Sequence, residues 1–386
     1  MLQALQSRAA TFVALRRDLH RHPELGLQEF RTSDLIAARL AEWGYTVHRG
    51  IAGTGLVGQL LRGTGTRRLG LRADMDALPI QEENHFAHAS RHTGVMHACG
   101  HDGHTAILLA AAQHIAESVD FSGTLNLIFQ PAEEHPGGAK IMIDEGLFER
   151  FPCDAVFALH NMPGHPAGHF VFREGATMAS SDDVTITLNG QGGHGAMPHK
   201  AHDVVVAASS IVMALQTIVS RNVDPLQTAV ITVGAFNAGQ ANNVIPARAK
   251  LALSVRALDR DVRDLLEQRI RALVKAQAES FDVQVTIDYK RDYPVLVNTA
   301  PETEFARQVA LELVGPAQVT LQGQALTGSE DFATMLEHCP GSYLLLGNGA
   351  GEGSCMVHNP CYDFNDAILP TGAAFWALLV QRFLTH

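Results

Sequence analysis

Cysteine is scarce, with five residues in a chain of 386. So low and odd a count excludes a disulfide-stapled secreted scaffold. Charge is sparse as well. Charged residues make up 18% of the chain, against a usual share of about 25%. With 46% hydrophobic residues, this composition excludes intrinsic disorder. Basic residues are outnumbered 29 to 40, the net charge is -11, and no long basic run occurs. Nucleic acid and anionic membrane are therefore excluded as first-choice partners. No stretch reads as the ~18 consecutive apolar residues of a membrane span. The opening MLQALQSRAATFVALRRDLHRHPELG has no signal-peptide apolar core. The expectation is a cytoplasmic protein. At ~100–200 residues per domain the length predicts two or three domains. A chain this long buries a core without disulfides or structural metal.

What is abundant is histidine. There are 20, and seven of them lie between His85 and His114.

The chain alternates between strand-like and helix-like segments. Residues 8–43 read as helical with a break at His22-Pro23. Apolar runs at Gly55–Leu61, Arg68–Ala73, Thr124–Gln130 and Ala155–His160 read as strands, with a helix at Thr105–Ser118. This alternation predicts an α/β unit built on a mixed, mostly parallel sheet with helices on both faces. After Ser180 the texture changes. Asp183–Leu188 alternates with period two, as a half-buried strand does. A helix at Asp203–Val219 follows, then strands at Thr228–Gly234 and Ala249–Arg256, a helix at Asp261–Ser280 and a strand at Asp282–Tyr289. Together they compose an inserted α+β unit of βαββαβ order. Helix–strand alternation then resumes with Thr303–Val314, Ser342–Leu346 and Ala367–Leu384. The expected organisation is 1–180 and 292–386 as one interrupted domain, with 181–291 inserted.

Ligands of a parallel α/β sheet bind beyond the carboxyl ends of its strands. Polar clusters collect at those ends. They are Asp74-Met75-Asp76, Pro131-Ala132-Glu133-Glu134 and His160-Asn161, with HACGHDGH (Cys99, His101, Asp102, His104) just before a helix. Each has a bland alternative. An isolated Glu-Glu pair is usually solvated, a strand-end histidine is usually hydrogen-bonded in the core, and aspartates cap helices and turns. Cysteine, histidine and carboxylate together are nevertheless the donor set of a transition-metal site. Four matched clusters at equivalent topological places do not arise by independent accident. His358 in VHNPCYDFND is a fifth candidate. Cys153, Cys339, Cys355 and Cys361 show no metal-like spacing, and His104 reads as an anchor of the helix start. A zinc nucleobase deaminase is rejected, because its His-x-Glu and Pro-Cys-x-x-Cys elements are missing.

Further motifs follow in order. They are HRHPELG (20–26), ADMDALP (73–79), HACGHDGHT (97–105), PAEE (131–134), ALHNMP (158–163), GQGGHGAMPH (190–199), NNVIP (242–246), GSEDF (328–332) and HNPCYDFND (358–366). Over nearly its whole length the chain resembles the co-catalytic metallopeptidase family of aminoacylases, hippurate hydrolases and plant auxin-conjugate amidohydrolases. The Cys-Gly-His form resembles the amidohydrolase branch. The resemblance implies a catalytic domain interrupted by a lid and dimerisation domain. It also implies two divalent metal ions held by Cys99, His101, Glu134, His160 and His358. Zinc is the first choice, with manganese, nickel or cobalt also compatible with these donors. Glu133 would be the general base and Asp76 would orient a ligand histidine, with Asp74 sharing that work in a proportion the sequence does not separate. His194, Asn243 and Arg256 would bind substrate, Arg256 gripping a free carboxylate. Flanking glycines also suit His194 to a simple turn. The implied reaction is hydrolysis of N-acyl or N-aroyl amino acids by a glutamate-activated hydroxide between the metals. The implied partners are this small-molecule substrate and a second subunit, giving a homodimer through the lid. A dipeptidase or carboxypeptidase with the same centre, and a non-catalytic metal-binding protein, are the alternatives.

Overall fold

The computed structural model describes residues 1–349 and 355–385, which form two compact units. One comprises 1–175, 297–324 and 331–386, the other 176–296 and 325–330.

The first unit is built on an eight-stranded sheet. Its strand order is Thr46–Ile51, Gly55–Arg62, Gly123–Gln130, Arg68–Asp74, Ala155–Pro163, Gly341–Gly349, Phe170–Val171 and Val319–Thr320. The four middle strands run parallel, while the 46–51 and 55–62 strands join antiparallel at one edge. Arg68–Asp74 is buried from its second residue onward, as expected where helices cover both faces of a parallel sheet. The short strands 46–51, 170–171 and 319–320 have too few apolar residues for sequence periodicity to reveal them.

The helix read as Thr105–Ser118 begins earlier, at His101. Gly100 precedes it with φ 90°, a left-handed value that suits glycine. A side chain there would collide with the Asn161 amide and the Tyr362 hydroxyl. Gly103 likewise leaves no room, since its Cβ would fall 2.2 Å from the Phe364 ring. From Ala106 to Ala112 every residue of this helix is buried, so it is a core helix with no polar face. His101 and His104 therefore occupy its first turn, fixed in direction by the core behind them. The terminal helix Leu369–Phe383 packs on it at Gly372, where Ile107 leaves no space for a Cβ.

The second unit is a four-stranded antiparallel sheet ordered Ala229–Ala238, Arg248–Ala257, Asp182–Asn189 and Gln284–Arg291. Helices Val204–Asn222 and Arg260–Ser280 complete the βαββαβ order. Asp203 and Asp259 cap them, each carboxylate accepting two backbone N–H groups of the first turn. Asp182 is buried and paired bidentately with Arg263, and Tyr289 donates to it at 2.9 Å. The unit begins and ends side by side: Ser181 N–H donates to Tyr293 O, and Asp292 N–H to Ser181 O, both at 3.0 Å.

The helix Val204–Asn222 is long and apolar enough, by length and composition, to cross a membrane. Its Val204, Ala207, Ala208, Ile211, Leu215 and Ile218 pack into the core of the second unit. Serines and a glutamine interrupt the run, so it falls short of 18 consecutive apolar residues.

Candidate metal centre

The residues singled out at the strand ends of the first unit converge. Sγ of Cys99 lies 3.3 Å from Nε2 of His160. Nε2 of His358 lies 3.1 Å from Oε1 of Glu134. Donor atoms of Cys99, His101 and His160 fall within 4.8 Å of one another, as do those of Cys99, Glu134 and His358, and those of His101, Glu133 and Glu134. Cys99 belongs to two of these groups, so the donors form one continuous cluster. His358 is exposed; the other members are buried or nearly so.

Hydrogen bonds fix the imidazole tautomers. His101 donates Nδ1–H to Oδ1 of Asp76 at 3.1 Å, leaving Nε2 buried without a hydrogen-bond partner. His160 donates Nδ1–H to the Asn161 carbonyl at 2.6 Å, which turns the Nε2 lone pair toward Cys99. A neutral imidazole with one nitrogen engaged and the other presented is the ligand-ready form. His104 is different. Its Nε2 accepts the Asn161 N–H at 2.9 Å, so Nδ1 carries the proton it donates to Asp74 at 2.6 Å. Both nitrogens are committed, and His104 is an anchor.

The two aspartates of ADMDALP separate in role. Asp76 accepts from His101 and, through Oδ2, from the Glu134 backbone N–H at 3.0 Å. It thus orients two candidate ligands at once. Asp74 hydrogen-bonds instead to His104 and to Nη1 of Arg72 at 2.7 Å, while its Oδ2 lies 3.8 Å from Nε2 of His101. Buried Arg72 also reaches Gln130 and Asp331, and Asp331 accepts the Ala139 N–H. This network lies beneath the cluster. Only the Asp of GSEDF hinted at it in the sequence, with no pattern linking it to Arg72.

Charge explains what the cluster lacks by itself. Burial, together with Glu134, Glu133 and Asp74, pushes the Cys99 thiol well above its ordinary value. Burial opposes ionisation of Glu134, but His358 and His101 hold its carboxyl below the usual range. Burial would lower the His101 pKa, yet Asp74 and Asp76 outweigh it and raise it to about 10, so a cation that binds at Nε2 must displace a proton to give the neutral ligand form. A thiol, several carboxylates and an unpartnered imidazole nitrogen packed out of water are costly unless cations neutralise them. The donor set therefore fits divalent transition metals.

Backbone conformation is unusual at two of the loops. His358 has φ 67° and Ala132, just before Glu133, has φ 52°. Non-glycine residues rarely adopt such values, and they concentrate at functional sites. The His358 N–H donates to Ala98 O at 2.7 Å, tying this loop to the Cys99 segment.

The remaining candidates lie in the second unit. His194 and Asn243 are brought together: Gly193–His194 pairs with Val244–Ile245, and Gly195 N–H donates to Asn243 O at 2.8 Å. Nδ1 of exposed His194 accepts the Ala196 N–H, so its proton sits on Nε2. Arg256 points its guanidinium at Ser329 Oγ, 3.1 Å away.

Residues 70–382 match the peptidase family M20/M25/M40, and the chain belongs to that family. It is 46% identical to the hippurate hydrolase of Campylobacter jejuni over 373 residues, 97% of this chain and 96% of that protein. It is 38% identical to the IAA-amino acid hydrolase ILR1-like 5 of Arabidopsis thaliana, covering 96% and 86% of the two chains. Among solved structures it is similar to the Bacillus subtilis YxeP protein, a dinuclear metal-binding peptidase of the M20 family. That match has a TM-score of 0.85 and 29% identity, over 98% of this chain and 99% of the other.

Proposed function

We propose that the protein is a metal-dependent amidohydrolase that cleaves N-acyl or N-aroyl amino acids into a carboxylic acid and a free amino acid. The observation that carries this reading is the pair of histidines, His101 and His160, each with Nδ1 engaged and Nε2 turned into one cluster with Cys99, Glu134 and His358. Cys99, His101, Glu134, His160 and His358 would hold two divalent cations, zinc first because of the thiolate donor. Bound there, such cations supply Lewis acidity that polarises the scissile carbonyl and acidifies water. Glu133, beside Glu134 and in reach of His101, takes the proton of the attacking water and delivers it to the leaving amine nitrogen. The C–O bond forms first, and the C–N bond breaks as the amine nitrogen receives its proton. Asp76 keeps His101 and Glu134 aligned throughout.

The second unit recognises the rest of the substrate. Arg256, a planar donor fork, and Asn243 bind its free carboxylate. His194, with its proton on Nε2, donates to the oxyanion of the tetrahedral intermediate. In the same proposal the chain forms a two-fold dimer through this unit, with His194 reaching the centre of the partner subunit. Full activity of a monomer would refute that arrangement. All five cysteines are free thiols, which suits the reducing cytoplasm.

Hydrolysis of hippurate and N-acetyl amino acids is the direct test, with dipeptides run alongside. Turnover is expected with the acyl substrates and is expected to stop on chelation. Activity that survives complete metal removal would refute the mechanism, and a clear preference for dipeptides would reassign the substrate. Glu133→Ala is expected to lower kcat by about 10²–10⁴-fold while metal content persists.

A further inference from the structure

Glu29 is a buried carboxylate that the mechanism above does not use. It sits just before the helix Phe30–Glu42, whose Ser33 N–H donates to its carbonyl at 2.9 Å. Its carboxylate points away from that helix. Oε1 accepts the Ala132 N–H at 2.9 Å, and Oε2 accepts the Thr54 hydroxyl at 2.6 Å. Burial pushes the carboxyl up to about 7, with Thr54 opposing. A group so costly to bury persists where its hydrogen bonds do specific work.

The work is at Ala132. This residue holds φ 52° immediately before Glu133 and Glu134, a conformation that a non-glycine residue keeps only where its surroundings enforce it. Its carbonyl is held by the N–H groups of Gly137 and Gly138. Its N–H donates to Glu29 Oε1, and the next amide but one, Glu134 N–H, donates to Asp76 Oδ2. Two buried carboxylates thus grip the two ends of the Ala132–Glu134 tripeptide. The HPELG segment reinforces the same loop. A Cβ on Gly26 would fall 2.3 Å from His135 O and 2.9 Å from Ala132 Cβ, and Glu24 O accepts the Ala77 N–H beside Asp76.

We propose that Glu29 is a positioning residue: through the Ala132 N–H it fixes the backbone that aims Glu133 and Glu134, and so governs both cation affinity and turnover without touching cation or substrate. This rests on the amidohydrolase reading for its turnover arm only.

The test uses the full chain and three variants. Zinc affinity is measured by competition with a chromophoric chelator, and kcat and KM are measured on an N-acetyl amino acid at saturating zinc. Glu29→Ala is expected to weaken zinc binding by roughly 10–100-fold and to lower kcat similarly, with KM changed by no more than about twofold. Glu29→Gln keeps an amide oxygen for the Ala132 N–H, and Thr54 can rotate to accept from its amide. It is expected to retain both properties to within about threefold. Thr54→Val removes one restraint on the carboxylate and is expected to fall between the two. Wild-type zinc affinity and kcat in folded Glu29→Ala would overturn the proposal, as would losses in Glu29→Gln equal to those in Glu29→Ala. Should Glu29→Ala fail to fold, wild-type values in Thr54→Val overturn it. Should the wild-type protein hydrolyse no acyl amino acid, the functional reading fails by itself and the zinc measurements still decide the role of Glu29.

Discussion

Asp76→Asn and Asp74→Asn are the same change two residues apart, and the structure assigns them different consequences. Asp76 has two acceptor oxygens, one on His101 Nδ1–H at 3.1 Å and one on the Glu134 N–H at 3.0 Å. Asparagine has one acceptor oxygen and one NH2. Whichever way the amide is turned, a donor faces a donor in a buried place. Leaving a buried donor unsatisfied costs about 1–3 kcal/mol. That cost falls on the orientation of either His101 or Glu134. Loss of such a supporting partner weakens metal binding roughly 10–100-fold, which is about 1.4–2.7 kcal/mol. Asp74→Asn disturbs the His104 and Arg72 contacts instead. Arg72 keeps Gln130 and Asp331, so the buried cation is not stranded. The expected loss is about 1.5–3 kcal/mol of folding stability, with a smaller loss of affinity than in Asp76→Asn. Chelator competition for zinc and denaturant unfolding of the metal-free protein read the two quantities separately. Unchanged zinc affinity in Asp76→Asn, or a greater affinity loss in Asp74→Asn, would refute the division of roles.

Folding stability is expected to fall as pH rises from about 6.5 to 9. Burial alone would lower the His20 pKa, but Asp102 and Glu82 outweigh it and raise it to about 9. The unfolded value is about 6.5. The folded state therefore holds this proton more tightly, and its contribution, on the order of 3 kcal/mol, is complete below pH ~6.5 and lost through pH ~9. His20→Gln should flatten the profile in that window; a wild-type profile already parallel to the variant's would contradict the assignment. Gly103→Ala must push the buried Phe364 ring aside, at about 1–3 kcal/mol; denaturant midpoints unchanged from wild type would show that the ring yields freely. Arg256→Lys exchanges a fork for a point charge and is expected to raise KM for N-acetyl amino acids about tenfold with little change in kcat. An unaltered KM would remove Arg256 from carboxylate binding.

Much of this was legible in the residues, for identifiable reasons. The strands Arg68–Asp74 and Gly123–Gln130 are continuous apolar runs because they are covered on both faces, and the strand Asp182–Asn189 alternates because its two faces differ in burial. Cysteine, histidine and carboxylate at several strand ends named a metal centre because few other uses require that mixture. Partnership was not legible. Nothing in ADMDALP tells which aspartate faces His101, since that depends on where a helix starts 25 residues later. The helix starts at His101 rather than at Thr105, since Gly100 ends the loop and Gly103, already helical, makes room for Phe364. Glu29 carried no motif, and its partner Ala132 carries no functional group at all. Hydrogen bonds to backbone across a hundred residues leave no trace in composition or period.

The adjacency of Ser181 and Tyr293 bears on how the site-bearing unit finds its own topology. Its strands Ala155–Pro163 and Gly341–Gly349 are parallel neighbours, with Val156 opposite Gly341, although the whole second unit intervenes in the chain. An unstructured connection would make that pairing a distant encounter. Once Ser181 and Tyr293 are hydrogen-bonded, about 110 of the roughly 180 intervening residues drop out of the loop to be closed, a saving of about 1 kcal/mol in closure entropy. An insert that zips its own entrance to its exit hides most of its length from the polymer statistics of its host, so such a fold can carry a whole extra unit at little cost to the assembly of the sheet it interrupts.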